Sequence, residues 1–284
     1  MQYTPRHTSQ VARFIDLLSF ILTYPWITIA SLTIATYLNL QPDQRSLKTK
    51  ILHYLVYGPV LAMLCLIFVP FAILGFCLWV FICIGFRSHR YSLVSFDKNT
   101  KIETQNCFSF GTMNVLMGQE LLSKLNNCSF VYERLKKIAA QIVKQEDYAL
   151  FNCRNVDHLS KDEVVLSSFP KMDFICFQEV TDRFFALALI SMLRKHYSHF
   201  VFDVGDHALK TNMYLMTSGL MVASKFPIID IEFRPFSTKK GWQRAVSFGV
   251  VICKIDLGNS NVGILANLHT MAFQVFGIFN VAKE

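Results

Sequence analysis

Residues 173–180, Asp173-Phe174-Ile175-Cys176-Phe177-Gln178-Glu179-Val180 (DFICFQEV), form an apolar run short enough to be a buried strand, closed by a carboxylate. Just beyond it, Asp182 is placed to cap a helix running through Lys195, with Phe185, Leu189 and Met192 on its apolar side. Upstream, Cys107 to Asn114 (CFSFGTMN) has a strand-like pattern that ends in polar residues. Between the two, Val131, Leu135, Ile138 and Ile142 recur at helical spacing opposite Glu133, Arg134, Lys136 and Lys137, which predicts an amphipathic helix over Phe130 to Lys144. Gln145 to Lys171 shows little periodicity and reads as a polar connection. Downstream, strands are expected at Phe200 to Val204, Leu220 to Ser224, Ile228 to Phe233, Phe248 to Ile255 and Val262 to Leu268. The turn Gly258-Asn259-Ser260-Asn261 joins the last two as a hairpin. An α+β sheet domain follows, without a glycine-rich phosphate loop of the Rossmann or Walker type.

The remaining N-terminal part has a different character. The 284-residue chain is 52% hydrophobic, which is high for a soluble domain. Leu17 to Gln41 contains no Asp, Glu, Lys or Arg, and His53 is the one titratable nitrogen from Ile51 to Phe86. Each stretch is long enough for a hydrocarbon core, which takes about 20 apolar residues. The first is too long for a cleaved signal peptide and a second follows it. Pro25, Pro59 and Pro70 interrupt helical hydrogen bonding, and both full spans and re-entrant hairpins fit. Either arrangement puts the N-terminus and the globular part on one side, expected to be the cytosol.

Charge reinforces this reading. The net charge is +8, a sign that suits nucleic acid or an anionic membrane face. Its placement separates the two: Arg6 and Arg13 precede the first apolar stretch, Arg45, Lys48 and Lys50 lie between the stretches, and Arg87 and Arg90 follow the second. Basic residues beside hydrophobic segments attract anionic head groups at about 1 kcal/mol per charge. Arg45, Lys48, Lys50, Arg87 and Arg90 are therefore expected to contact anionic phospholipid, and nucleic acid is not the expected partner. The chain divides into an anchor over 1–90 (apolar over 17–41 and 51–86), a juxtamembrane connector over 91–106 and a globular part over 107–284. The eight Cys are scattered without paired spacing, which excludes a zinc ribbon or a disulfide scaffold and suits a reducing compartment.

Three polar residues stand at the ends of expected strands: Asn114, Glu179 and His269. A carboxylate closing a buried run requires a cationic partner, and both a Lys or Arg and a metal satisfy that need. Asn114 equally suits a turn, and His269 a satisfied sheet-edge position. A carboxylate with a carboxamide oxygen matches the hard, sparse ligand set of Mg²⁺.

The order Thr112-Met113-Asn114-Val115, Phe177-Gln178-Glu179-Val180, Ser218-Gly219-Leu220, Ala223-Ser224-Lys225-Phe226-Pro227-Ile228 and Asn267-Leu268-His269 resembles the endonuclease/exonuclease/phosphatase superfamily of DNase I-like fold. The two hydrophobic segments, Asn126-Asn127 and Phe202-Asp203-Val204-Gly205 are similar to the membrane-anchored neutral sphingomyelinases. The resemblance implies a DNase I-like two-sheet sandwich, of which 107–284 is the N-terminal part. It also implies Mg²⁺-dependent hydrolysis of sphingomyelin to ceramide and phosphocholine at a Golgi or plasma membrane. Residue by residue, it makes Glu179 the principal Mg²⁺ ligand with Asn114 beside it, His269 the contact to the scissile phosphate, and Ser218 a substrate-binding residue.

Several positions depart from the pattern. The superfamily's Gly-Asp-x-Asn and terminal Asp-His motifs have no counterpart after His269, where only Thr270 to Glu284 remain, and Gly205-Asp206-His207 imitates them upstream in a non-catalytic loop. Thr217 stands where an Asn precedes Ser-Gly, and Met271 where a second His follows. Gln243 and Phe248 replace a charged Asp and Lys pair. The expectation is a fragment, alternative isoform or pseudoenzyme with an exposed apolar sheet face and edge. A different phosphodiesterase or nuclease of the same fold and a non-catalytic membrane protein are the competing functions.

Overall fold

In the computed structural model, which describes residues 2–4, 7, 9–37, 47–85, 91–96, 107–126, 128, 130–144, 171–205, 217–237 and 246–270, the DFICFQEV run becomes strand β4 (Phe174–Val180). Its side chains alternate between two cores. Ile175 and Phe177 enter one shared with helices α5 (Val131–Val143) and α6 (Arg183–Leu193), while Phe174 and Cys176 enter the other. A strand with both faces covered has no place for solvent-side polar residues, which is why the run is nearly continuous in apolar residues.

β4 lies inside a six-stranded sheet with β1 (Gln2–Thr4), β2 (Ser92–Ser95), β3 (Phe110–Met117), β5 (His199–Phe202) and β6 (Met221–Ser224), in the order β1-β2-β5-β6-β4-β3. Among the described strands only β3 and β4 run parallel, with the amphipathic α5 in the connection between them. A second sheet, β7 (Ile228–Pro235), β8 (Gly249–Gly258) and β9 (Asn261–Leu268), is an antiparallel meander. Ile231, Phe233, Val251, Cys253 and Ile255 from this sheet meet Phe174, Val201 and Val222 from the first. The result is the expected α+β two-sheet sandwich, with α5 and α6 as a further layer. β9 forms the edge of the second sheet, and Val262, Ile264 and Leu268 on it are exposed.

Most expected elements shift only at their ends. The Asp182 carboxylate accepts from the Phe184 amide at 2.8 Å and opens α6 as anticipated. Asn259 and Ser260 both have positive φ (50° and 63°), which suits the tight β8–β9 hairpin. Two expectations need correction. Asn114 does not end β3 but sits within it, where the register with β4 breaks between Asn114 and Met117. The segments assigned to connector and anchor also supply strands: β2 pairs with β5, and β1 adds to β2. The short helix α4 (Glu120–Leu125) was not anticipated.

The N-terminal apolar stretches form helix α1 (Gln10–Tyr37) and a continuous run of α2 (Leu47–Leu52), a π-helical turn (His53–Tyr57) and α3 (Gly58–Gly85). Both runs are long and apolar enough to cross a membrane. Pro25 and Pro70 lie inside their helices, and Pro59 follows the π-helical turn at the start of α3. α1 and α3 pack closely because Gly75 has no side chain: a Cβ there would meet Leu22 Cβ at 2.9 Å, and the Ser19 hydroxyl donates to the Gly75 carbonyl at 2.7 Å. The opposite side of α1 is bound to the sandwich. Asp16 pairs with Arg183 at 2.7 Å, the Tyr24 ring lies 5.9 Å from that of Phe184, the Leu121 amide donates to Ser31 Oγ at 2.9 Å, and Lys124 Nζ donates to the Ala35 carbonyl. Lys48 is exposed and Lys50 half-buried; Arg45, Arg87 and Arg90 lie outside the described residues.

Candidate active site

Three strands bring one carboxylate, one carboxamide and one imidazole together. Glu179 stands near the end of β4, Asn114 on the neighbouring β3, and His269 directly after β9 of the second sheet. Asn114 Nδ2 donates to Glu179 Oε1 at 2.6 Å, and His269 Nε2 lies 3.5 Å from the same oxygen. Among the described residues, no Lys or Arg pairs with Glu179, and Oε2 has no partner. The glutamate side chain retains 27% of its exposure.

Backbone strain aims this carboxylate. Glu179 has φ 62°, in the left-handed region that non-glycine residues rarely occupy. Gly219 (φ 71°) makes room for it: a Cβ there would lie 3.1 Å from Glu179 Cα, and the Gly219 carbonyl accepts from the Val180 amide at 2.8 Å. Opposite, Leu116 (φ 46°) marks the irregularity that turns Asn114 toward Glu179. The Leu116 amide donates to Asn114 Oδ1 at 3.3 Å. The carboxamide therefore presents its donor to Glu179 and keeps its oxygen on the backbone, so in this geometry it orients the carboxylate.

His269 is held from two directions. Its ring packs edge-on against Phe248, with centroids 6.1 Å apart. Its Nδ1 is buried and has no hydrogen-bond partner. Two residues before it, the buried Asn267 crosses between sheets: Nδ2 donates to the Phe177 and Met221 carbonyls at 3.0 Å each, and Oδ1 accepts from Gln178 Nε2 at 2.8 Å. Thr112 Oγ1 closes the network at 3.0 Å from Gln178 Nε2. Gln178 and Asn267 were quoted as motif residues without a role; their signal is polarity at positions that neighbours mark as core. The network fixes His269 relative to β4.

Ser218, expected at the substrate, is 2% exposed. Its hydroxyl donates to the Val204 carbonyl at 2.7 Å and accepts from the Leu220 amide at 3.2 Å. That arrangement secures the loop preceding Gly219 and leaves no hydroxyl toward the Glu179 oxygen. Residues 206, 207, 243 and 271 lie outside the described residues.

The donor set fits a small hard cation. Mg²⁺ takes oxygen ligands and keeps several waters, so a single carboxylate oxygen beside a carboxamide, with no thiolate near, matches its needs better than those of zinc. Among the described residues there is no group of three or more His, Cys, Asp and Glu of the kind a protein-only metal cage requires.

No family model matches the chain. Curated proteins do: sphingomyelin phosphodiesterase 5 of Mus musculus is 25% identical over 229 residues, covering 76% of this chain and 47% of the relative. Sphingomyelin phosphodiesterase 3 of Homo sapiens is 30% identical over 121 residues, covering 40% and 18%. Among solved structures, sphingomyelinase C from Streptomyces griseocarneus has a TM-score of 0.41 and 16% identity, over 59% of this chain and 50% of that one. The chain spans about half the length of the mouse relative it matches. In sequence, the chain is similar to the sphingomyelin phosphodiesterases 3 and 5 over these stretches.

Proposed function

We propose that this chain carries the first half of a membrane-bound, Mg²⁺-dependent phosphodiesterase that hydrolyses sphingomyelin to ceramide and phosphocholine. The observation that carries the reading is the meeting of Asn114 and His269 on one oxygen of Glu179, with the other oxygen unpartnered among the described residues. Glu179 would hold the cation, with Asn114 restraining the carboxylate. Mg²⁺, when bound, polarises the phosphoryl oxygens and offsets charge on the leaving oxygen. His269 then stands within reach of a phosphate placed at Glu179, and its Nε2 proton binds a phosphoryl oxygen as negative charge develops. Residues equivalent to the family's later motifs would activate the water. Names of relatives support the substrate, and the apolar N-terminal helices support a lipid rather than a nucleic acid.

The anchor contacts also support a topology. Bonds from the sandwich reach α1 at Asp16, Tyr24, Ser31 and Ala35, a span of about 28 Å at helical rise. A helix held along that length by a water-exposed domain is unavailable to cross a hydrocarbon core of about 30 Å. We therefore read α1 and α3 as a hairpin lying against one leaflet, α3 outermost, with the sandwich in the cytosol at a Golgi or plasma membrane. The exposed Lys48 is placed to meet anionic lipid, and Lys50, Arg45, Arg87 and Arg90 are assigned the same role.

Mn²⁺ titration followed by electron paramagnetic resonance tests the metal site on this chain alone. Glu179→Gln should weaken binding at least about tenfold. Phosphocholine release from sphingomyelin vesicles by residues 1–270 joined to the C-terminal half of the mouse relative tests the reaction. No Mg²⁺-dependent release by such a chimera, or release unaffected by Glu179→Gln, refutes the proposal.

A further inference from the structure

A second site lies where α1 and α3 meet the sandwich. There a cavity of about 670 Å³, within the range of small-ligand sites, opens between the elements. Glu179, Asn114 and His269 do not line it. Phe20, Ile27 and Ile34 of α1 and Phe76, Trp79 and Ile82 of α3 give it apolar and aromatic walls.

Its polar wall is unusual for a seam between apolar helices. Asp16 and Arg183 both line it and neutralise each other at 2.7 Å. Asp182 also lines it, is 7% exposed, and is held by neutral donors, the Phe184 amide at 2.8 Å, Gln119 Nε2 and the Tyr24 hydroxyl. Among the described residues no Lys or Arg pairs with it. Burial pushes the Asp182 carboxyl above the usual carboxylate range, the mark of a charge that lacks a cation. His7 contributes an independent observation: it is 7% exposed, lines the same cavity, and its Nδ1 has no hydrogen-bond partner. Nε2 lies 3.8 Å from Asp16 Oδ1; a neutral ring with its proton on Nε2 presents Nδ1 as an acceptor.

We propose that this cavity binds a single-chain amphiphile with a primary ammonium head, a long-chain amine, with its head between His7 and Asp182 and its chain along the aromatic walls. A carboxylate without a cation asks for positive charge, an unpartnered imidazole nitrogen asks for an N–H donor, and aromatic faces favour a cation nearby. A phosphate or sulfate head would serve the unpartnered Trp26 Nε1 donor in the lining but fails the first two requirements, and an uncharged sugar head leaves Asp182 uncompensated.

The cavity supplies its own reporters, because Trp26 and Trp79 line it and the third tryptophan, Trp242, can be replaced by Phe. The chain carrying Glu179→Gln, in nanodiscs of zwitterionic phospholipid, would be titrated with three amphiphiles. They share one brominated alkyl chain and bear an ammonium, a sulfate or a glucoside head. The ammonium probe should quench tryptophan emission saturably, with an apparent affinity at least tenfold above the other two. Asp182→Asn keeps a capping side chain and should bring the three probes within about twofold of one another. His7→Phe, which tests the acceptor without touching the cap, should weaken the ammonium probe several-fold and leave the glucoside unchanged. Equal quenching by all three heads, quenching that never saturates, a preference for sulfate, or a preference surviving both substitutions would each overturn the proposal.

Discussion

Glu179 combines two properties that rarely coincide, a left-handed backbone and a carboxylate whose neighbours are a carboxamide and an imidazole. The strain persists because Gly219 yields the space that Glu179 needs. Gly219→Ala should cost about 1–2 kcal/mol from its own positive φ, and the new methyl group should also displace Glu179. Thermal melting and Mn²⁺ affinity are thus expected to fall together; an unchanged affinity with a lowered melting point would confine Gly219 to the fold. Asn267 is the other decisive residue, because its carboxamide satisfies two carbonyls and Gln178 in the interior. Asn267→Leu should lose about 1–3 kcal/mol through the unsatisfied groups it leaves, measured by denaturant unfolding. Glu179, Asn114 and His269 were legible as motif residues. Their sharing of Oε1 was not, since nothing in spacing along the chain specifies which atom of a strand end meets which.

Helix α6 and strand β4 followed from pattern because their signals are local: a capping aspartate and a run with no polar interruption until Gln178. Strands β1 and β2 were missed because each is too short to display a period, at 3 and 4 residues, and gains its identity from pairing. The β2–β5 pair offers a test of the sheet's pairing. His199 Nδ1 lies 2.9 Å from Ser95 Oγ across that pair, and burial lowers its proton affinity below the ordinary imidazole value. The unfolded chain then binds a proton that the folded chain resists, over the interval between the lowered value and 6.5. Stability from this group is present above 6.5 and is lost as pH falls through that window. Urea midpoints measured across the window should drop on acidification for the parent chain, and drop less for His199→Asn.

At the scale of the molecule, the apolar N-terminal helices are structural partners of the sandwich. Arg183, Leu121 and Lys124 reach into α1, and β1 from the extreme N-terminus joins the first sheet. Glycosylation acceptors inserted at residues 41–46, between α1 and α2, should therefore remain unmodified in microsomes, as should the sequon Asn127-Cys128-Ser129. Modification at 41–46 would require the hairpin to cross the membrane. Arg183→Ala should speed proteolytic release of α1 from the sandwich, read by limited digestion in detergent. The sequence by itself determined the two apolar N-terminal segments, the α+β class and the residues available for chemistry, because hydrophobic period, capping and composition act between near neighbours. Only the tertiary structure decided that Glu179 faces a carboxamide and an imidazole, that Ser218 is turned inward, and that α1 lies along the sandwich. Those outcomes depend on contacts between residues far apart in the chain, whose free energy exists only once both sheets and the helices have packed.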